Sequence, residues 1–99
     1  MIIKDKIKKE DLKPPFVKAV ADTEREIISF DCELHVDCAE ELLKDGSRPA
    51  NLWGFNIYPE GNLDFVSLIN IRPPHNRKIE IGDGEIRKKI TTMVEKILL

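Results

Sequence analysis

Two stretches of alternating apolar and polar residues, separated by only four residues, constrain this chain more than any other feature. Along Phe16–Asp22, Val17, Ala19 and Ala21 point one way, and Lys18, Val20 and Asp22 the other. Along Ile27–His35, Ile28, Phe30, Cys32 and Leu34 oppose Ile27, Ser29, Asp31, Glu33 and His35. Period-two alternation belongs to strands with two distinct faces. A connection as short as Thr23–Glu26 makes the pair an antiparallel hairpin.

A second hairpin follows. Leu52–Tyr58 reads as a strand with Trp53, Phe55 and Ile57 on one face. Pro59-Glu60-Gly61-Asn62 is a turn, and Leu63–Ile71 reads as the return strand. Between the hairpins, Asp37 predicts the cap of a short helix over Cys38–Lys44, with Glu40 completing a capping box. Gly46 supplies the left-handed residue that stops it. Near the N-terminus, Ile2–Lys4 can begin a strand and Lys8–Leu12 a helical turn, which Pro14-Pro15 end. Asp83 predicts the cap of a last helix of about 15 residues, spanning about 22 Å. Ile86, Ile90, Met93, Val94 and Ile97 form its apolar stripe.

These elements predict one domain over residues 1–99 of the α+β class. It is an antiparallel sheet of about four strands, two hairpins, with a short helix between them. The C-terminal helix packs on the Trp53/Phe55/Ile57 face. A small sheet with one helix-poor face needs cover, and that predicts a homodimer.

Composition narrows the class. With 41% hydrophobic and 34% charged residues, the chain reads as a globular protein with a heavily charged surface. No stretch approaches the ~20 apolar residues of a membrane span. The charges in MIIKDKIKKEDL lie too close for a signal-peptide apolar region, so the expected compartment is the cytoplasm. Glutamine is absent while Ile, Lys and Glu abound, a thermophile tendency. Residues 1–18 carry a net charge of +3 and residues 22–45 a net of −7. Such opposed patches suit two faces of one domain or a dimer contact. The overall charge of −2 argues against a general nucleic-acid binder.

Candidate site residues come from polar groups in apolar places. Asn51, Asn56 and Asn70 interrupt runs that otherwise look like core strands. A buried amide without partners is unfavourable, so three of them suggest use. If strand parity holds, Glu33 shares a face with His35, Asn56 with Tyr58, and Asn70 with Arg72. A carboxylate beside an imidazole can orient a general base. An arginine with two amides can hold a carboxylate or phosphate. The same groups also serve as a salt-bridged sheet face or a seal between subunits.

The loop Arg72-Pro73-Pro74-His75-Asn76-Arg77-Lys78 concentrates donors on a stiff backbone suited to anions. Gly82-Asp83-Gly84 lacks the Lys and Ser/Thr of a phosphate-binding loop. Cys32, His35 and Cys38 have the wrong spacing for zinc and no fourth ligand, so no metal is expected. The two cysteines read as unpaired, Cys32 buried and Cys38 half-exposed. A nucleophilic Cys38 beside His35 is opposed by Asp37, Glu40 and Glu41. Trp53 and Phe55 can stack bases, but their place in the apolar series of their strand points to core packing.

Taken together, Glu33-Leu34-His35, Asp45-Gly46-Ser47, Asn51-Leu52-Trp53-Gly54, Asn56-Ile57-Tyr58-Pro59 and Ile69-Asn70-Ile71-Arg72-Pro73 resemble a family of small prokaryotic proteins described only as a domain of unknown function. The resemblance covers most of residues 16–97. It implies a compact α+β domain and no particular activity. Glu33, His35, Asn51, Asn56, Asn70 and Arg72 match its pattern. Pro14-Pro15 and the two cysteines look particular to this chain.

The expected function is that of a homodimeric module, without cofactor, that binds a small anionic ligand or a protein partner. Arg72, Asn70 and Asn56 would bind, Glu33 and His35 complete the wall, and Asn51, Tyr58, Asn76 and Arg77 flank it. The alternative is a small hydrolase or transferase with His35 as base and Glu33 as its orienter. A third reading is nucleic-acid binding by the 72–78 loop and the Lys-rich N-terminus.

Overall fold

The computed structural model describes residues 1–98. Its sheet has four strands: β1 (Val17–Asp22), β2 (Ile27–Cys32), β3 (Leu52–Ile57) and β4 (Leu63–Asp64). They lie in the order β2-β1-β3-β4, with every neighbour antiparallel. Helix α1 (His35–Lys44) joins the hairpins, and α2 (Gly84–Ile97) closes the chain. The expected α+β architecture is therefore present.

The central strand explains how α2 seats itself. In register, Ala19 lies between Phe30 and Phe55, and Ala21 between Ile28 and Trp53. Two small residues flanked by large ones leave a trough, which Ile90, Met93 and Val94 of α2 fill. Ile57, Ile81, Ile7 and Leu12 extend this core. The Asp83 carboxylate accepts the Glu85 N–H at 2.8 Å, capping α2 as expected.

The opposite face is not helix-poor. Cys38, Ala39 and Leu42 of α1 pack on Val20 and Leu52 there. The premise of the dimer expectation, an uncovered sheet face, does not hold for this fold. The outer edge of β2 is also covered. Ile3 N–H donates to Ile28 O at 2.8 Å and Phe30 N–H to Met1 O at 2.9 Å.

Strand β2 departs from the sequence expectation at one residue. Lys18 pairs with Cys32 but Ala19 with Phe30, so Asp31 is bulged, with φ at 63°. One extra residue reverses the parity of everything after it. Cys32 therefore turns to the α1 face, where it forms a disulfide with Cys38 (Cα–Cα 5.9 Å). This corrects the reading of two unpaired cysteines. Cys38 is the fully buried member and Cys32 the partly exposed one.

The bulge also ends the strand early. Helix α1 begins at His35 rather than Cys38, and Leu34 is its capping residue. Asp37, expected as the cap, stands a turn inside, where its carboxylate accepts the Leu34 N–H at 3.2 Å. Gly46, at φ 104°, ends α1 as expected.

The return strand is the second departure. Only Leu63 and Asp64 pair with β3, opposite Ile57 and Asn56. Phe65–Ser67 turn away to pair with Ile79–Ile81 instead, Ser67 N–H donating to Ile79 O and Ile81 N–H to Phe65 O. Ser67 passes directly over Gly54, where an added Cβ would lie 2.5 Å from the Ser67 Cβ. Leu68–Asn70 then forms a short 3-10 turn, not strand.

Candidate functional site

The early end of β4 leaves the outer edge of β3 without a strand, and two predicted site residues, Asn70 and Arg72, take its place. Asn70 is fully buried. Its Oδ1 accepts the Gly54 N–H at 2.8 Å, and its Nδ2 donates to Gly54 O at 2.9 Å and Ile79 O at 3.1 Å. One carboxamide thus supplies what a neighbouring peptide unit would.

Arg72 continues along the same edge. Its Nη2 donates to Leu52 O and Ile69 O, and its Nη1 to Ala50 O and Pro49 O. The guanidinium lies 4.0 Å from the centre of the Trp53 ring, a cation–π contact. Burial lowers its pKa from the usual arginine value, and the group still stays cationic.

Asn76 locks the following loop. Its Nδ2 donates to Asn70 O, Lys78 O and Glu80 O, and its Oδ1 accepts the Gly82 N–H at 3.0 Å. The donors of Asn70, Arg72 and Asn76 are thus placed on backbone carbonyls. The 72–78 loop does not present its polar groups as one surface: Arg72 and Asn76 turn inward, while His75, Arg77 and Lys78 are exposed.

The remaining predicted residues scatter. Asn51 Nδ2 donates to Glu24 at 3.0 Å, bracing the first hairpin turn. Tyr58 meets Phe16 edge-on, with ring centroids 5.6 Å apart. Asn56 is buried on the α1 face, and its Oδ1 has no hydrogen-bond partner among the described residues. His35 stands over the same part of β3, its Nε2 2.9 Å from Phe55 O. A carbonyl accepts, so Nε2 carries the proton. Burial lowers the His35 pKa, the hydrogen bond to Phe55 O acts against it, and Lys18 lowers it further. Glu33 is exposed on the bend before α1, and no shared strand face joins it to His35. Cys38, bound to Cys32, offers His35 no thiol.

A concavity with room for an occupant lies elsewhere. A groove of about 450 Å³ runs between α1 and the segment after β4. Ala39 and Leu43 form its helix wall, and Leu52, Pro49 and Ala50 its base. Ile69, Arg72, Pro73 and His75 form the other wall. Of the predicted site residues, Arg72 alone lines it. Its apolar lining escaped the sequence reading because Ile69 was expected within the return strand, which stops at Asp64 instead. With His35 as the first residue, Val36, Ala39 and Leu43 fall on one helical stripe beside the core stripe of Cys38 and Leu42.

The profile of a family described as Protein of unknown function (DUF5674) matches residues 1–97. The chain belongs to the DUF5674 family. The match takes in the N-terminal segment that edges β2, beyond the 16–97 range of the resemblance, and this family carries the description of unknown function that the resemblance implied. No curated protein and no solved structure matches the chain. Among the described residues, no helix is long and apolar enough to cross a membrane.

Proposed function

We propose that this DUF5674 member is a binding module whose working surface is the groove between α1 and Ile69–His75. Its occupant has an apolar body and an acidic group. One observation carries this reading: seven of the nine lining residues are apolar, and the other two, Arg72 and His75, are basic. Ligand sites of roughly 300–1,000 Å³ are commonly lined in this way, with few polar groups setting orientation. The Arg72 charge attracts an anion through its field while its Nη hydrogens stay on carbonyls. The exposed His75 ring is the group free to meet the acid directly.

Decanoate and decylamine test the reading, since they share an apolar chain and differ in charge. Decanoate should shift the amide resonances of Ala39, Leu43, Ile69 and His75, and decylamine should shift them less. If neither compound moves these amides, the groove is not a binding surface.

A catalytic role for His35 has one supporting observation. Burial favours its neutral form, and the Phe55 carbonyl orients the ring in the way Glu33 was expected to. That leaves Nδ1 as the proton acceptor.

A further inference from the structure

We propose that the groove of one molecule is occupied by α1 of a second copy of this chain; this rests on the groove being the working surface. Three features of α1 point to it. Val36 and Leu43 are 45% and 39% exposed although both are large and apolar. They lie on one stripe with Ala39 between them, a spacing that keeps all three on one face. Ala39 is small enough for a second helix to approach closely.

A two-fold axis beside Ala39 sets the helices antiparallel. Val36 of each copy then meets Leu43 of the other, and the same patch serves both molecules.

The charges are self-complementary as well. Helix α1 carries Asp37, Glu40 and Glu41 against Lys44. Glu41 is engaged by Ser29 and the N-terminal amine, and Asp37 by the Leu34 N–H. Glu40 remains exposed on the outer flank of the stripe. The opposite wall of the groove presents Arg72 and His75, with exposed Arg77 and Lys78 following. Each copy therefore offers an apolar helix with an acidic flank and a groove with a basic wall. Complementary potentials of this kind fix register and speed encounter.

Sedimentation equilibrium of the whole chain decides the matter, with Leu43→Glu, Val36→Lys and Ile79→Glu as variants. The wild type should sediment at twice the chain mass. Leu43→Glu and Val36→Lys should each raise the dimer dissociation constant at least tenfold. Ile79→Glu, which replaces an exposed apolar residue outside the groove, should leave it unchanged. Circular dichroism checks folding, and the two α1 variants stand in for each other if one fails. A dimer unaffected by both α1 variants overturns the proposal, because another face then holds it. A monomeric wild type overturns it too, and decanoate then separates the two readings. Shifts at the groove amides would leave a binding module with a different occupant, such as an acidic segment of another protein. A silent groove would remove both.

Discussion

The Asn70 carboxamide bonds both the N–H and the C=O of Gly54, at 2.8 and 2.9 Å. It stands where β4 would have continued. Replacing Asn70 with Ala orphans the Gly54 N–H and C=O in a buried place, while Ile79 O keeps the Ser67 N–H. Each unsatisfied group costs about 1–3 kcal/mol, so a loss of about 2 kcal/mol or more is expected by urea denaturation. Asn70→Asp keeps the acceptor but loses both donated bonds, and should recover little of that loss. A ligand-binding Asn70 would instead tolerate Ala with folding stability intact.

Gly54 is the partner that lets the chain cross. An added Cβ would sit 2.5 Å from Ser67 Cβ and 2.6 Å from its Oγ. Gly54→Ala should therefore destabilise by about 1–3 kcal/mol, the range of overpacked interiors. Ser67→Gly in the same chain should restore part of the loss, measured as a double-mutant cycle.

Arg72→Lys separates a structural from a ligand-binding arginine. One ammonium cannot reach the four carbonyls that the guanidinium spans. The variant should lose about 1–3 kcal/mol of stability without any ligand present. Trp53 emission should also change, since the cation 4.0 Å from its ring moves. Unchanged denaturation midpoint and emission would show that the guanidinium holds nothing.

The Cys32–Cys38 disulfide closes a loop of sequence separation 6 between β2 and α1. Loop-closure entropy for so short a loop stabilises by about 2 kcal/mol. Denaturation with and without a phosphine reductant should differ by that amount. In Cys32→Ser/Cys38→Ser the reductant should have no effect.

His35 makes stability depend on pH in a definite direction. Its folded pKa lies below the ordinary 6.5, chiefly through burial. In the window beneath 6.5 the unfolded chain binds more protons than the folded one, so folding stability falls as pH falls through that window. It is fully present above 6.5. His35→Gln should flatten this part of the stability–pH profile, and an NMR titration of the ring should give a midpoint below 6.5.

Much of the fold was legible from residue order alone. The β1–β2 hairpin, β3, the Gly46 stop, the Asp83 cap and the Ile90/Met93/Val94 stripe all follow from local periodicity and capping chemistry. Those signals act over a few residues, and a sequence displays them directly. The polar residues at 70, 72 and 76 were visible too, but their duty was not. Buried amides need partners, and nothing local says whether a ligand or a strand edge supplies them. Three decisions belonged to the tertiary structure. Asp31 bulges and turns Cys32 toward Cys38, because pairing with β1 sets the register. β4 stops after Asp64, because Ser67 crosses over Gly54. The vacant edge of β3 then claims Asn70 and Arg72, because unpaired backbone groups in a buried place must be satisfied by whatever side chains the fold brings there.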